Sequence, residues 1–285
     1  MKVVTWNIQW ARGADGRVDL DRIVAHARRF ADFDVLCLQE VSAGYEELAG
    51  SDGGDQFAGI AGRLPGHEAL AGVGTDAPHP NGGRRRFGEM ILSRLPVGAV
   101  FRHLLPWPPD PGVMSMQRVA LEATIITRAG PWRVTTTHLE YYSPTQRAAQ
   151  VEALRDLHRE AAAHARTARP GAASDGPFDR VVRGGPSILC GDFNFRPEAG
   201  ERVRLLSPID ATAAYRDAWE LAHPGEAHAP TVGVHDQVQW PGPPFTWDYV
   251  FVSEDLATRV RRVDVDAGSD ASDHQPVLLE IDDTA

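Results

Sequence analysis

Cysteine and long apolar runs are scarce in this sequence. Its 285 residues contain two cysteines, Cys37 and Cys190, each within a short apolar stretch. So few cysteines argue against a disulfide framework, and we expect both to be buried free thiols in a reducing compartment. Because no stretch approaches the roughly 18 consecutive apolar residues of a membrane span, we expect no membrane-spanning segment.

Positive charge is scarce as well. The chain has 29 lysines and arginines against 39 aspartates and glutamates, which gives a formal net charge of −10. This balance does not predict general electrostatic capture of nucleic acid, although it leaves room for a local basic groove. No signal-peptide pattern precedes the first strand-like run, and candidate site residues begin at Asn7. We therefore expect a cytoplasmic protein.

Short apolar runs and amphipathic stretches alternate along the chain. The runs are rich in Val, Ile, Thr and Leu, which is typical of strands buried on at least one face. Predicted strands cover residues 2–6, 35–38, 90–92, 119–126, 132–137, 187–190, 248–252 and 276–281. Predicted helices cover residues 19–30, 145–164, 198–206 and 213–221. Strands interleaved with helices indicate an α/β class.

The neighbouring runs 119–126 and 132–137 predict an antiparallel hairpin, which favours mixed sheets over purely parallel ones. Residues 72–87 and 165–186 are predicted to be loops. No internal repeat divides the chain, so we expect one domain over residues 1–285. The three arginines at 84–86 are interpreted as solvated charges, with a substrate clamp as the alternative, and Arg118 fits either a structural ion pair or the site.

Polar side chains stand where the predicted strands end or begin. This group comprises Asn7, Glu40, His138, Asp192, Asn194, Asp273 and His274. In α/β sheets the crevice at the strand ends is where ligands bind, and strand ends hold side chains more rigidly than loop tips do. We therefore expect these residues to form one site.

The residue types in this group indicate metal-assisted chemistry on a phosphate. Carboxylate and amide oxygens are the ligands that suit Mg²⁺ or Mn²⁺, and the histidines come with too many carboxylates for a structural zinc site. Clustered carboxylates would repel a phosphoester unless a cation lies between them. The two histidines, His138 and His274, can donate to developing charge or transfer protons near neutral pH.

Six short motifs occur in order along nearly the whole chain. They are Thr-Trp-Asn (5–7), Leu-Gln-Glu (38–40), Thr-His-Leu-Glu (137–140), Gly-Asp-Phe-Asn (191–194), Trp-Asp-Tyr-Val-Phe (247–251) and Ser-Asp-His (272–274). Each motif alone is weak, but in this order and spacing the chain resembles the endonuclease/exonuclease/phosphatase superfamily of DNase I-like enzymes. The resemblance implies a four-layer α/β sandwich, in which two mixed sheets lie face to face with helices outside and the site at one edge.

The resemblance also implies a metal shell, for Mg²⁺ by preference and Mn²⁺ as a second possibility. Glu40 is similar to the principal ligand, and Asn7 and Asp273 would complete the shell directly or through water. Two positions depart from the family pattern. Gln9 stands where many nucleases of the family have an acidic residue, which puts a second metal in doubt, and Glu89 replaces an asparagine, which makes the substrate contact there uncertain.

Catalytic roles follow from the same resemblance. Asp192 is similar to the residue that orients or deprotonates the attacking water, and Asn194 to its partner in holding the phosphate. His274 is similar to the histidine that contacts the scissile phosphate, with Asp248 orienting its ring. His138 matches a second phosphate-facing histidine. Water attacks in line in this family, so no covalent enzyme intermediate is expected.

The predicted function is divalent-metal-dependent hydrolysis of a phosphodiester, in nucleic acid or in a small or lipid-linked molecule. A phosphomonoesterase on the same scaffold is one alternative. A catalytically silent binding module is another, against which the complete set of site residues argues. The expected partner is a phosphoester substrate, and nucleic acid stays open as one such substrate. We expect the protein to be a monomer.

Overall fold

The computed structural model describes residues 1–167, 182–210 and 212–285. Most of the loop predicted at 165–186 lies outside the described residues. Within them, the helices are all too short or too polar to span a lipid bilayer.

Two six-stranded sheets form the centre of the fold. The first has the spatial order β11 (Val260–Val265), β12 (Val277–Ile281), β1 (Lys2–Asn7), β2 (Val35–Ala43), β4 (Arg84–Ser93) and β3 (Glu68–Pro78). The second has the order β5 (Val97–Leu104), β6 (Val119–Thr127), β7 (Gly130–His138), β8 (Ser187–Asp192), β10 (Asp248–Ser253) and β9 (Tyr215–Asp217).

Each sheet is mixed, as the sequence predicts. β1 pairs in parallel with β2, and β7 pairs in parallel with β8, while the other neighbours are antiparallel. The predicted hairpin is β6 and β7, with Thr127 opposite Gly130. The helices are α1 (Leu20–Phe30), α2 (Gln56–Arg63), α3 (Pro144–Thr167), α4 (Gly200–Leu206) and α5 (Ala218–Ala222). The predicted sandwich of two mixed sheets flanked by helices is confirmed.

Both faces of the central strands are buried, which explains their continuous apolar runs. Val3 and Cys37 of the first sheet pack with Cys190 of the second in the core between the sheets. The alternate residues Val4 and Leu36 point to the other face and pack with α1 and α2 side chains. A third cluster joins the outer face of the second sheet to α3 and α4. Both cysteines are buried and free, as expected.

The prediction of a loop at 72–87 is wrong, because β3 and β4 form a hairpin there. Glycines hide the strand pattern, and the close packing of the chain requires them. A Cβ on Gly88 would lie 2.1 Å from the carbonyl oxygen of Gly72, and one on Gly72 would lie 2.8 Å from Leu121. The helix predicted at 213–221 is also partly wrong. Its first half forms β9, which extends the second sheet beside β10.

Parallel pairing brings the polar strand ends to one edge of the sandwich. Asn7 at the end of β1 lies opposite Gln39 of β2, and His138 at the end of β7 lies opposite Asp192 at the end of β8. Asp248 begins β10 and lies opposite Asp192 on the other side.

Candidate active site

An open cleft of about 460 Å³ lies at this edge. The predicted site residues that line it are Glu40, His138, Asp192, Asn194, Asp273 and His274. The other two lie directly behind the lining, where Asn7 contacts Glu40 and Asp192, and Asp248 contacts His274. The structure therefore brings together all of the residues that the sequence proposes for the site.

Asn7 connects two of the carboxylates. Its Nδ2 donates to Oε1 of Glu40 and to Oδ2 of Asp192, both at 3.0 Å, while its Oδ1 accepts from the backbone N–H of Gln9. The register of β2 against β4 shifts between Leu38 and Val41, and Glu40 has a φ of 60°. Such an irregularity re-aims a side chain, and here it directs Glu40 into the cleft.

Glu40 and Asp273 both line the cleft and repel each other as like charges. Burial raises the pKa of Glu40, and the charge of Asp273 raises it further. Asp273 is held by two donors on one oxygen, with Gln9 Nε2 at 3.0 Å and Trp240 Nε1 at 2.9 Å from Oδ2. A cation between the two carboxylates would relieve their repulsion, and the donors are hard oxygens. The residues present therefore fit a divalent metal.

Asp192 is buried at the centre of the site. Burial, together with the charge of Asp248, raises its pKa to about 7. The backbone N–H of Asn194 donates to its Oδ1 at 2.9 Å. This close turn needs Gly191, where φ is 134° and a Cβ would lie 1.9 Å from the carbonyl oxygen of Thr137.

His274 and Asp248 form a buried pair. Nδ1 of His274 lies 2.8 Å from Oδ2 of Asp248, and the Oγ1 of Thr231 donates to the same oxygen at 2.6 Å. Burial alone would lower the pKa of His274, but Asp248, Asp273 and Asp192 together raise it well above its ordinary value. This shift favours the protonated ring, whose Nε2 lies 3.8 Å from Asp192 Oδ2. Sequence reasoning missed Thr231, since it belongs to none of the motifs.

His138 has the opposite character. Burial lowers its pKa well below the ordinary value, with further contributions from Arg118 and His274, which favours the neutral ring. Nδ2 of Asn194 lies 2.9 Å from Nε2 of His138, so this ring nitrogen accepts and Nδ1 carries the proton. Among the described residues Nδ1 has no hydrogen-bond partner, and it lies 3.8 Å from Oε1 of Glu40.

Arg118 and the arginines at 84–86 differ in their position relative to the cleft. Arg118 forms an ion pair and also lines the cleft. Its Nε donates to Glu140 at 3.2 Å, while its Nη1 lacks a partner among the described residues. The arginines at 84–86 lie on β4 and are paired with Asp76, Glu47 and Asp55 respectively. All three lie outside the residues that line the cleft.

Glu89, the departure from the family pattern, is buried outside the cleft lining. Burial raises its pKa well above the ordinary value of a carboxyl, and Arg118 opposes that rise only in part.

A second grouping of donors lies deeper than the predicted metal shell. Side-chain atoms of Asp192, Asp248 and His274 lie within 4.8 Å of one another, so this buried group could bind a metal ion. However, Nδ1 of His274 and the Oγ1 of Thr231 already bond to Asp248 Oδ2. A cation there would have to displace these bonds.

Comparison with known proteins identifies the family. The family model described as endonuclease/exonuclease/phosphatase matches residues 4–274. The chain belongs to the endonuclease/exonuclease/phosphatase family. Members of this family are divalent-metal-dependent phosphoester hydrolases. Among curated proteins, a sequence search found no match.

Solved structures of the endonuclease/exonuclease/phosphatase family share this fold at low identity. A family protein from Beutenbergia cavernae is 24% identical, with a TM-score of 0.69 over 100% of this chain and 72% of that one. A mannosyl-6-phosphatase from Bacteroides thetaiotaomicron is 17% identical, with a TM-score of 0.66 over 99% of both chains. A 3′ phosphatase from Neisseria, bound to a product DNA hairpin, is 21% identical, with a TM-score of 0.62 over 99% of both chains.

Proposed function

We propose that this protein hydrolyses a phosphodiester by in-line attack of water, with a divalent metal ion as cofactor. The observation that carries the proposal is the convergence of Glu40, Asp273 and Asp192 with His138 and His274 in one open cleft. A silent binding module would not need this complete set.

Glu40 and Asp273 would hold the cation, by preference Mg²⁺ and alternatively Mn²⁺. Asn7 would position Glu40 beside it, since the amide N–H groups of Asn7 face the carboxylates and its Oδ1 accepts from Gln9. The bound ion would polarise a phosphoryl oxygen and stabilise negative charge as the ester bond breaks. Asn7 keeps Glu40 and Asp192 in a fixed relation, since its amide donates to both.

Asp192 receives the proton of the attacking water. A pKa of about 7 suits a group that must be ionised before the reaction and protonated during it. Asn7 and the backbone N–H of Asn194 donate to its two oxygens and so fix the direction of the carboxylate. Asn194 also holds the ring of His138, which leaves the Nδ1 proton of that ring for the substrate.

His274 donates from Nε2 to a phosphoryl oxygen as charge develops there. The Asp248 carboxylate fixes the ring through Nδ1 and keeps it protonated. Arg118, which is paired with Glu140, adds positive charge beside the cleft. Donors aimed in advance at the site of charge development stabilise the transition state, which is usually the largest single contribution to catalysis.

A phosphomonoester is the second candidate substrate, because two of the structural neighbours are named as phosphatases. The predicted cytoplasmic location and monomeric state stay predictions, and nucleic acid stays open as a partner.

A substrate panel tests this function. It comprises plasmid, abasic duplex, single-stranded nucleic acid, bis-p-nitrophenyl phosphate, p-nitrophenyl phosphate, sphingomyelin and inositol phosphates, each with Mg²⁺ and with Mn²⁺. We expect hydrolysis of at least one diester, complete loss in excess chelator and recovery when either ion is restored. Full activity in excess chelator would contradict the metal requirement, and hydrolysis of monoesters alone would replace the diester proposal with the second candidate.

A further inference from the structure

One side of the cleft is a wall of aromatic rings, which we define as Tyr141, Tyr142, Trp240 and Trp247. Their rings meet edge to face. Tyr141 lies 5.5 Å from Trp247 and 4.6 Å from Tyr142 between centroids, and Trp240 lies 5.1 Å from Trp247. All four rings line the cleft.

The aromatic wall adjoins the reacting groups. Trp240 donates its indole N–H to Asp273 at 2.9 Å, and the ring of Trp247 lies 6.4 Å from that of His274. The backbone N–H of Tyr142 is held by Glu140, which also pairs with Arg118. A group attached to a phosphate in the site would therefore reach the wall directly.

Packing within the protein does not account for the whole wall. Trp247 is only 9% exposed and serves the core, but Tyr141 is 39% exposed and Tyr142 is 52% exposed. Exposed aromatic rings beside a polar site are typical of surfaces that stack a planar or apolar ring of a ligand.

The charge around the cleft does not suit a long polyanion. Of the described residues that line it, only Arg118 is a lysine or arginine, and that side chain is already engaged with Glu140. The arginines at 84–86 are paired with carboxylates, and the chain carries a net charge of −10. A nucleic-acid strand presents a phosphate at every nucleotide and needs a track of cations, which the described residues that line the cleft do not provide.

We propose that the aromatic wall binds the organic part of a small phosphoester, in which a flat ring lies next to a single reacting phosphate. The wall stacks the ring while the polar side of the cleft holds the phosphate. This inference rests on the proposed function for the position of the phosphate, and it narrows the substrate from phosphoesters in general to compact ring-bearing ones.

Binding of two phosphonates tests the wall without requiring hydrolysis, so it can fail or succeed independently of the proposed function. Phenylphosphonate and methylphosphonate carry the same anionic group and differ in the ring. Calorimetric titration with Mg²⁺ present should show that phenylphosphonate binds to the wild type about tenfold more tightly than methylphosphonate does, since its ring stacks on the aromatic side chains of the wall. Equal affinity, or no binding of either compound, would overturn the proposal.

Two variants locate the effect. Tyr142→Ala removes the most exposed ring of the wall, and we expect it to reduce the preference for phenylphosphonate about fivefold while methylphosphonate affinity stays unchanged. The matched control is Trp107→Ala, which removes an aromatic ring that is 48% exposed and lies outside the cleft lining. A preference that survives Tyr142→Ala, or that falls equally in Trp107→Ala, would overturn the proposal. Displacement of phenylphosphonate by a single-stranded oligonucleotide is a further test. If the oligonucleotide binds more tightly than phenylphosphonate does, the proposal is overturned.

Discussion

Gln9 shows what one side chain contributes to the cation site. Its amide donates to Asp273 at 3.0 Å and to Gln239 at 2.6 Å, so it holds the carboxylate without adding charge. A neutral residue at this position leaves Glu40 and Asp273 as the carboxylates of the proposed metal shell. We therefore expect isothermal titration with Mn²⁺ to give one ion per chain.

Gln9→Glu should raise the affinity for Mn²⁺ about tenfold, because the added carboxylate increases the ligand charge. Gln237→Glu is the control, since it adds the same charge at an exposed residue outside the cleft lining. Two ions per wild-type chain would contradict the assignment of Gln9, as would an equal gain in both variants.

The strands that the sequence reveals and those it hides differ in their place in the sheets. Every predicted strand corresponds to part of an observed one, and the strands that were missed, β3, β5, β9 and β11, are the four sheet edges. Edge strands bury less side chain, as the alternating exposure of β5 shows. A continuous apolar run therefore marks the centre of each sheet, while each edge strand lacks such a run and is held by pairing with the strand next to it in sequence.

Helix α3 is joined to the second sheet through a buried neutral histidine. His158 lies 2.8 Å from Nη2 of Arg133 through Nδ1 and 2.6 Å from the carbonyl oxygen of Ala213 through Nε2, so Nδ1 accepts and Nε2 donates. Burial lowers its pKa from 6.5 to about 4, and the charge of Arg133 adds to the effect, although Asp255 and Glu122 oppose it. Protonation would place a second cation against the guanidinium.

The free energy of unfolding should therefore fall in mild acid, because His158 becomes protonated more readily in the unfolded than in the folded protein. Because its pKa is lower in the folded than in the unfolded state, its contribution is complete above pH 6.5 and is lost as the pH falls towards 4. Between pH 7 and pH 5 the loss is about 2 kcal/mol. The free energy of unfolding, measured with urea at both pH values, should therefore change with pH by about that much less in His158→Gln than in the wild type.

His164→Gln provides the control for this measurement, since His164 lies on the same helix with its side chain 65% exposed. We expect that variant to keep the wild-type pH dependence. An unchanged pH dependence in His158→Gln would show that the ring is not held neutral by its surroundings.

Across the whole molecule, the sequence predicts the position of the site better than its walls. The motif residues meet because they lie at strand ends, and parallel pairing of β1 with β2 and of β7 with β8 brings those ends together. Thr231 and Trp240 reach the site from the long connection between α5 and β10, whose path depends on tertiary packing. No periodicity or motif marks those residues, and the roles of the site residues stay predictions until they are measured.

The central claim is that these distant segments assemble one site at which Asp192 activates water against a phosphorus atom. The most direct test is the kcat of Asp192→Asn, measured with Mg²⁺ on whichever ester the wild type hydrolyses, together with its thermal midpoint. We predict a fall in kcat of about a thousandfold, because a general base contributes about 10²–10⁴ in rate. The midpoint should be unchanged or higher, since the variant removes a buried charge from a cluster of carboxylates. A folded Asp192→Asn protein that keeps the wild-type kcat would contradict the account.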